Sequence, residues 1–576
     1  MVSQGDEKLM MQRRMIHTTA QKEIMLWDIT LGGMMKESAE FMGGHEMIKY
    51  TDRDYTRSYA EFDRETDLIA RAFMALGIEK GDHIAVWATN IPEWIISLYA
   101  AAKAGAVLVT VNTSYKIFEM EYLLRQSDTK MLIMNKGFKD VDYPAVINEL
   151  CPSLKTSRIG DFVDPMLPRL ELVVLADEIE RPGMLSFERL YDIGQSVPQF
   201  ELEQRMASLN ADEIVNMQYT SGTTGFPKGV MLTHKNIINN GRFIGDCMKF
   251  TQNDRLCIQV PFFHCFGLVL GMMAAFTHFT SVVPMEAFSP SKTLKALFQE
   301  ECTAVHGVPT MFIAMLEHED FAKYKFTKLR TGIMAGSPCP VKVMSQVVEE
   351  MGISEITIVF GQTESSPGCT QTTTDDPVQA RVSTVGRELP LTECRIVDPE
   401  TGSEVKDGVS GEFCARGYNI MRGYYNMPEA TAQAIDSEGW LHTGDLAVRD
   451  ENGYYKIVGR IKDMIIRGGE NIYPKEIEEF LYTHEAVSDV QVIGIPSRAY
   501  GEEVMACVIL KPEAQVSEEQ LKEYVRENMA RHKIPRYIMF MDSFPMTASG
   551  KIQKYKMREW AVEQLALQSD ANIETA

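Results

Sequence analysis

The sequence predicts an α/β fold: a large N-terminal domain of stacked α/β sheets with a β-rich subdomain, followed by a small α+β C-terminal domain. Three observations support this. Short apolar runs alternate with helical stretches over the first 360 residues, turn-separated short strands follow, and the tail returns to helices and strands. A length of 576 residues exceeds what one compact core accommodates. At least two domains are therefore expected.

The first elements form a β-α-β unit. Ser58 and Glu61 make a capping box before a helix that ends at Gly77, and the apolar run 84–87 is typical of a strand. A second helix over 92–105, which begins with a proline, and another apolar strand complete the unit. This order of elements predicts that the two strands pair in parallel.

The same alternation continues further along the chain. Five more apolar runs, each short enough for a buried strand, are separated by helical stretches: 214–219, 256–260, 304–307, 332–335 and 356–360. Ligands of such sheets bind beyond the carboxyl ends of strands. Polar loops follow the first, fourth and fifth runs, so we expect these three loops to converge on one crevice.

One stretch is long and uncharged enough to raise the question of a membrane span. Residues 256–285 contain no Asp, Glu, Lys or Arg. However, Pro261, Gly267, Gly271 and Pro284 divide the stretch into a strand, a turn, a helix and a strand. We therefore interpret it as core and predict no transmembrane span, while contact with a membrane surface stays open.

The pattern of predicted strands and helices changes twice in the later part of the chain. Between about 370 and 455, short alternating strands broken by turns predict the β-rich subdomain. Beyond it, a helix over 474–483, strands over 490–495 and 504–510, and a helix capped by Ser517 predict the α+β module.

Composition excludes several classes of protein. The formal charge of −22 argues against a nucleic-acid surface, which needs clustered Lys and Arg. The ten cysteines include no Cys-x-x-Cys pair, and His264-Cys265 lacks the partners of a zinc site. The charged N-terminus is not of signal-peptide type. We expect the thiols to be reduced and the protein to be cytoplasmic. The sequence makes no prediction of the oligomeric state.

The segment 219–229 concentrates hydroxyls, glycines and one cation. Its glycines let backbone N–H groups form an anion-binding nest, and Lys228 adds charge. It is not a Walker loop, because Lys228 stands between Pro227 and Gly229. A nucleotide's phosphates suit such a loop. The residues that we expect to bind them are Thr220, Ser221, Gly222, Thr223, Thr224 and Lys228.

This loop resembles the phosphate-binding signature of the adenylate-forming enzymes, the superfamily of acyl-CoA synthetases, luciferases and peptide-synthetase adenylation domains. Further matches occur in the family's order: 335–338, 360–364, 439–445, 459–463 and 550–551. The sequence of residues 467–474 is typical of fatty acyl-CoA synthetases, and it most resembles that of medium-chain ones. The resemblance implies ATP, Mg²⁺ and coenzyme A as ligands, an AMP- and acyl-binding domain over 1–460, and a mobile lid domain over 461–576.

The resemblance also implies roles for nucleotide contacts. Glu364 is a Mg²⁺ ligand, Thr363 bonds a phosphate oxygen, and Asp445 binds the ribose with Arg460 beside it. The adenine contacts and their neighbours are Gly336, Ser337, Phe360, Gly361 and Gln362. Phe360 stands where many relatives have Tyr, a change that keeps ring stacking and loses a phenolic hydrogen bond.

Lys551 resembles the lysine of the small domain that stabilises charge building up between carboxylate and α-phosphate. The acyl pocket is inferred from the apolar and aromatic run 261–267 with Met311. Within it, His264 either gates the carboxylate or is an internally bonded core histidine.

The second half of the reaction needs another arrangement, which the family reaches by rotating its small domain. Lys462 occupies the hinge position, and Gly468-Gly469 would let pantetheine pass. Arg498 and Lys533, with Arg536, are candidates for the CoA phosphates, although a charged surface patch explains them equally well.

We therefore predict an ATP-dependent fatty acyl-CoA synthetase, an acid–thiol ligase acting on a small-molecule carboxylic acid. Two alternatives stay open. One is a carrier-protein ligase or luciferase-type enzyme that does not use free CoA, which a thioester assay would distinguish. The other is a catalytically silent nucleotide-binding or membrane-associated protein. The joint presence of Lys228, Glu364 and Lys551 weighs against the silent protein.

Overall fold

The computed structural model describes residues 24–161, 163–177, 181–220, 227–337, 339–467, 470–498, 500–547, 550–565 and 567. These residues form sheets of eight and nine strands, smaller sheets of four and five strands, and a two-stranded ribbon. The five-stranded sheet belongs to the C-terminal part of the chain and the larger sheets to the part before it. The predicted α/β fold, with a large domain followed by a small α+β domain, is confirmed.

The strands in chain order are β1 (Glu46–Lys49), β2 (Thr56–Ser58), β3 (His83–Trp87), β4 (Val107–Thr110), β5 (Thr129–Met134), β6 (Gly137–Phe138), β7 (Val141–Asp142), β8 (Leu172–Leu175), β9 (Leu185–Ser186), β10 (Ile214–Thr220), β11 (Lys228–Thr233), β12 (Arg255–Ile258), β13 (Ser281–Pro284), β14 (Ala304–Gly307), β15 (Thr331–Met334), β16 (Glu355–Gly361), β17 (Gly368–Gln371), β18 (Arg387–Glu388), β19 (Thr392–Val397), β20 (Gly411–Gly417), β21 (Gly423–Tyr424), β22 (Leu441–Arg449), β23 (Tyr455–Arg460), β24 (Ile465–Arg467), β25 (Glu470–Ile472), β26 (Val487–Ser497), β27 (Gly501–Leu510) and β28 (Tyr537–Phe540).

The α-helices are α1 (Leu31–Met42), α2 (Tyr59–Ala75), α3 (Pro92–Ala104), α4 (Ile117–Gln126), α5 (Tyr143–Leu150), α6 (Glu188–Gly194), α7 (Gln199–Ala207), α8 (His234–Cys247), α9 (Ala274–Phe276), α10 (Pro290–Gln299), α11 (Pro309–Leu316), α12 (Val341–Glu350), α13 (Val378–Ser383), α14 (Pro428–Ala434), α15 (Pro474–Leu481), α16 (Glu518–Asn528) and α17 (Lys554–Gln564).

The eight-stranded sheet contains the predicted β-α-β unit. Its order is β21-β11-β10-β4-β3-β5-β8-β9, and β3 and β4 pair in parallel, connected by α3. Ser58 caps α2 by accepting a hydrogen bond from Glu61 N, and the Glu61 carboxylate accepts one from Ser58 N. Gly105 ends α3 in the left-handed conformation, at φ 80°, that glycine adopts without strain.

The nine-stranded sheet has the order β18-β17-β16-β15-β14-β12-β13-β1-β2. From β16 to β1 its neighbouring strands are parallel, and antiparallel strands close both edges. Four of the five predicted apolar runs are its strands β12, β14, β15 and β16. The fifth run is β10 of the other large sheet. The polar loops therefore come from two sheets, which the sequence did not reveal.

The uncharged stretch between β12 and β13 is buried core, as predicted. After β12, a π-helical segment over Phe266–Met273 continues into α9, and β13 returns to the sheet. Nearly all of these side chains are buried. Within the described part of the chain, every helix is too short or too polar to cross a membrane.

The separate β-rich sheet contains fewer of the strands in this part of the chain than the sequence pattern predicted. Strands β19, β20, β22 and β23 form a separate antiparallel sheet. In contrast, β17 and β18 extend the nine-stranded sheet, and β21 extends the eight-stranded one. Alternation in a sequence indicates a strand but does not specify the strand that it pairs with.

The small domain contains β24 to β28 and α15 to α17. Strands β26 and β27 form its central hairpin, and β28 pairs in parallel with β27. Ser517 caps α16 with Gln520 in a capping box, as the sequence predicts. Ile477 and Leu481 of α15 are fully buried against this sheet.

Packing joins the two large sheets into one body. The largest buried apolar cluster includes Ile84 and Leu108 of the eight-stranded sheet, Leu256 and Val282 of the nine-stranded sheet, and Trp94 of α3, all fully buried. Burying each such aliphatic side chain is worth about 1.5–3 kcal/mol. Loops from both sheets are consequently held in a fixed relation to one another.

Candidate active site

The predicted phosphate loop connects two antiparallel strands, β10 and β11. Thr220 and Lys228 are register partners at its two ends, and both are half-buried. The Nζ atom of Lys228 lies 4.8 Å from the centre of the Tyr424 ring. The hairpin thus sets the ammonium group at the base of the loop. The loop residues that lie outside the described part of the chain are Ser221, Gly222, Thr223 and Thr224.

Helix α4 and the residue after strand β21 contact the backbone that follows this loop, at Pro227 and Gly229. The Tyr122 hydroxyl donates to the Pro227 carbonyl at 3.0 Å. The Gln126 amide donates to the Tyr425 carbonyl at 2.8 Å, and Tyr425 N donates to Gly229 O at 2.8 Å. The backbone just after the loop is therefore fixed by hydrogen bonds to two other elements.

Glu364 follows β16 in a tight turn and is buried. The Tyr424 hydroxyl donates to its Oε1 at 2.8 Å, and Met421 N donates to its backbone carbonyl at 2.9 Å. Gly361 enters this turn at φ 156°, and a Cβ there would lie 1.8 Å from Pro367 O. Only glycine fits that approach. An oriented carboxylate of this kind provides the hard oxygen ligand that Mg²⁺ prefers.

Tyr424 joins the two parts of the phosphate region, and sequence reasoning missed it. Its ring lies under the Lys228 ammonium while its hydroxyl bonds Glu364. Burial raises the pKa of this phenol, so Tyr424 stays a hydrogen-bond donor at neutral pH. A glycine followed by two tyrosines, at 423–425, was the signal available in the sequence.

Asp445 and Arg460 face each other on β22 and β23. Arg460 Nε donates to Asp445 Oδ1 at 2.8 Å. The Asp445 side chain is only 5% exposed, whereas that of Arg460 is 53% exposed. Burial raises the pKa of Asp445, and the charge of Arg460 opposes this shift. A fixed two-oxygen acceptor of this kind matches a vicinal diol.

The predicted adenine contacts lie at the ends of neighbouring parallel strands. Gly336 and Ser337 follow β15, while Phe360, Gly361 and Gln362 lie at the end of β16, its parallel neighbour. The Phe360 ring is half-buried and packs edge-on against Phe413, with 5.0 Å between ring centres. Gly336 has φ 88°, and a Cβ there would lie 3.0 Å from Val308 Cγ1. The two segments thus emerge side by side.

Lys551 comes from the small domain and reaches this crevice. Burial and the charge of Arg460 lower the pKa of its amine, while Cys265, Glu364 and Asp445 raise it. Lys551 therefore lies within electrostatic reach of residues from two large-domain sheets.

The turn that carries Lys551 is fixed against the large domain. Lys551 N donates to Thr547 Oγ1 at 3.0 Å, and a Cβ on Gly550 would lie 2.8 Å from Val308 Cγ2. This close approach shows that the turn carrying Lys551 is packed against the large domain, on the same valine that Gly336 approaches.

His264 and Cys265 line the crevice beside Lys551. His264 Nδ1 accepts a hydrogen bond from Phe266 N at 3.1 Å, so the neutral ring carries its proton on Nε2. Burial, with the charge of Lys551, lowers the pKa of His264 to about 3. The Cys265 Sγ atom lies 3.6 Å from that Nδ1 and 3.7 Å from Thr363 Oγ1. Sequence reasoning treated Cys265 as part of an apolar wall and, together with His264, as lacking the partners of a zinc site.

The residues predicted to act in the CoA step, as hinge, pantetheine passage or phosphate contacts, are spread over the small domain. Lys462 lies in the exposed turn after Arg460, and Arg498 is exposed at the end of β26. Lys533 Nζ lies 2.5 Å from Glu476 Oε1. Gly468 and Gly469 fall outside the described residues. Binding of CoA by these residues stays a prediction.

The arrangement suits a polyphosphate. The charged side chains of the candidate site are of both signs, and the Thr363 side chain beside Glu364 is buried: Lys228, Arg460, Lys551, Glu364 and Asp445. Cations stabilise phosphate charge, and a carboxylate can hold the accompanying metal ion. Such a site can bind a nucleoside triphosphate and stabilise negative charge as it develops.

Comparison with known proteins agrees with this geometry. Residues 35–425 match the family model described as AMP-binding enzyme, and residues 476–551 match the AMP-binding enzyme C-terminal domain. Together the two models cover most of the chain; they contain Lys228, Glu364 and Lys551, whereas Asp445 and Arg460 lie between the two matched ranges.

Individual relatives match along almost their whole length. A Bacillus subtilis (strain 168) protein, named provisionally as the acyl-CoA synthetase YngI, is 51% identical over 94% of this chain and 98% of its own. The mitochondrial medium-chain acyl-CoA ligase ACSF2 of Danio rerio is 39% identical over 93% of this chain and 89% of its own. The crystal structure of the anthranilate CoA ligase AuaEII in complex with anthranoyl-AMP is similar with a TM-score of 0.82, at 26% identity, covering 94% and 99%.

Proposed function

We propose that this chain, which belongs to the AMP-binding enzyme family, is an ATP-dependent acyl-CoA synthetase. It joins a carboxylic acid to CoA and converts ATP to AMP and pyrophosphate. The observation that carries this proposal is the docking of the Lys551 turn on the large domain, where Gly550 and the predicted adenine contact Gly336 both pack against Val308. A cation among nucleotide-binding groups suits attack by an acid on the α-phosphate.

In the first half-reaction, a carboxylate oxygen attacks the α-phosphorus of ATP, and the bond to the β-phosphate oxygen breaks. Lys551 stabilises the negative charge between the two reacting anions, and Lys228 with the loop hydroxyls holds the leaving phosphates. Asp445 binds the ribose hydroxyls. Glu364, oriented by Tyr424, would hold Mg²⁺, which neutralises phosphate charge when bound.

In the second half-reaction, the CoA thiolate attacks the acyl carbon and AMP leaves. We propose a domain boundary at residues 460/461, with Lys462 as the hinge. Rotation there withdraws Lys551 and brings Gly468 and Gly469 to the crevice so that pantetheine can pass. Arg498 and Lys533 bind the CoA phosphates; Lys533 must then leave Glu476.

The acid is a medium-chain fatty acid. Two observations support this choice: the name of the Danio rerio relative, and the apolar and aromatic wall around Phe262, Phe263 and Phe266. A wall of this kind suits an alkyl chain. We propose that the protein works in lipid metabolism in the cytoplasm, where its ten unpaired thiols stay reduced.

ATP–pyrophosphate exchange across straight, branched and aromatic acids tests this proposal, because it separates the choice of acid from the acceptor step. Straight acids of medium length should give the fastest exchange, and free CoA should then yield the acyl thioester. Exchange without thioester formation would favour a carrier-protein ligase. Absence of exchange with every acid would overturn the proposal.

A further inference from the structure

Helix α15 of the small domain is hydrogen-bonded at both ends to the large domain. Near its first turn, Lys475 Nζ donates to the Ile457 carbonyl of β23 at 2.9 Å. At its far end, Lys342 Nζ of α12 donates to the Tyr482 carbonyl at 3.0 Å. A cation at the C-terminus of a helix is also favoured by the helix dipole.

A third contact lies between these two. Glu479 is one turn after Lys475, on the same face of α15, and its Oε2 lies 3.5 Å from Val341 N at the start of α12. Both residues are half-buried at the interface, and burial lowers the pKa of Lys475 and raises that of Glu479.

These contacts are made in the domain orientation that brings Lys551 to the crevice. Lys475, Glu479 and Tyr482 move with the small domain, whereas Ile457, Val341 and Lys342 belong to the large one. A rotation of the small domain about Lys462 would move these partners relative to one another and strain or break the contacts. The segment 339–342 directly follows the predicted adenine contacts Gly336 and Ser337, so α15 docks behind the nucleotide site.

We propose that Lys342, Lys475 and Glu479 form a latch that holds the small domain in the adenylate-forming orientation and releases it for thioester formation. These are positioning residues: they touch neither ATP nor the acid and act through the placement of Lys551. The assignment rests on the proposed function, but the latch itself is a physical property that can be measured without turnover.

The test compares Lys342→Met and Lys475→Met, singly and together, with a matched control, Lys522→Met. Lys522 pairs with Glu518 within α16, so the control removes a lysine charge without touching the interface. Methionine preserves most of the apolar volume of lysine. The first measurement is amide hydrogen exchange of residues 306–313, against which Gly550 packs.

In the latch variants, the amides of this segment should exchange faster, on the order of fivefold per lost contact. The reason is that a hydrogen bond to a charged group contributes to docking of the small domain. The control should match the wild-type chain. Unchanged exchange in both latch variants would overturn the proposal. If Lys475→Met does not fold, Lys342→Met decides alone, because Lys342 lies in the large domain and its replacement leaves the sequence of α15 unchanged.

The second measurement separates the half-reactions. Latch variants should slow ATP–pyrophosphate exchange by a similar factor and keep at least the wild-type rate of thioester formation from preformed acyl-adenylate. Equal loss in both half-reactions would overturn the latch. If no acid supports exchange in the wild-type chain, the proposed function fails, while amide exchange still tests the latch.

Discussion

The ammonium group of Lys551 has an environment unlike that of a surface lysine. Burial and the charge of Arg460 lower its pKa, while the carboxylates of Glu364 and Asp445 raise it. Desolvation strengthens its interaction with any anion that enters. At the scale of single residues, the site therefore depends on a cation that the protein holds at an energetic cost until a polyphosphate arrives.

Replacement of Lys551 by alanine should abolish most adenylate formation. Loss of one preorganised donor to a developing charge costs about 10²- to 10³-fold in rate. ATP–pyrophosphate exchange should fall by this factor, while thioester formation from preformed acyl-adenylate should be largely spared. Equal losses in the two assays would contradict the role of Lys551.

The lowered pKa of Lys551 should appear in the pH dependence of adenylation. The charged amine is present below its pKa and is lost as the pH rises through it. Since that pKa lies below the ordinary value of 10.5, the alkaline limb of kcat/KM for ATP should begin at lower pH than for an exposed lysine. In Lys551→Arg, which stays protonated, this limb should disappear from whatever activity is left.

His264 should contribute no acid limb near pH about 6.5, its ordinary range, because its pKa is lowered to about 3. A His264→Gln variant should therefore keep the shape of the wild-type profile above about pH 5. A limb near 6.5 that this substitution removes would contradict the neutral histidine.

Substitutions of Glu364 and Tyr424 should raise the Mg²⁺ requirement by different amounts. Glu364→Gln removes the anionic oxygen proposed to hold Mg²⁺, so the Mg²⁺ concentration for half-maximal exchange should rise tenfold or more, as an order of magnitude. Tyr424→Phe removes only the 2.8 Å hydrogen bond that orients the carboxylate, and should raise it by roughly three- to tenfold. If neither substitution changed the Mg²⁺ requirement, another residue would hold the metal.

Strands and turns show what the sequence could and could not specify. The capping boxes at Ser58 and Ser517 and the left-handed Gly105 are local patterns, and each was predicted at the residue where it occurs. Sheet membership is not local: nothing in 214–219 indicates that it pairs with β4 rather than with β12. Such pairing depends on packing across a long sequence separation.

The residues of the candidate site also fall into two groups, those that a local sequence motif predicts and those whose role depends on the fold. Lys228, Glu364, Asp445 and Lys551 stand in motifs that the sequence displays. Tyr424 does not, because its importance comes from contacting two of these residues at once, a property of the fold. Cys265 is similar, since its position beside Thr363 appears only when β16 is placed next to the segment after β12.

The two capping boxes provide a matched test of domain independence at the level of helices. Ser517→Ala removes the cap of α16 and should cost about 1 kcal/mol, which speeds amide exchange by about fivefold in the small domain alone. Ser58→Ala should have the same effect on α2 and leave the small domain unchanged. Faster exchange in both domains from either change would contradict separate folding units.

At the scale of the whole molecule, function depends on how the small domain sits against the large one. Contacts along α15 and the turn before Lys551 hold one orientation, in which the lysine reaches a crevice built by loops of two packed sheets. That orientation suits formation of a mixed anhydride. In the proposed reaction, the thiol reaches the same carbon after a rotation of the small domain that withdraws Lys551.

Transfer of an isotopic label tests the central claim most directly. An acid whose carboxylate carries ¹⁸O is incubated with the protein, Mg·ATP and CoA, and the AMP is analysed by mass spectrometry. Attack of the carboxylate on the α-phosphorus leaves one carboxylate oxygen in AMP, so the account predicts singly labelled AMP in amounts equal to the thioester. Unlabelled AMP, or thioester formed without AMP, would contradict it.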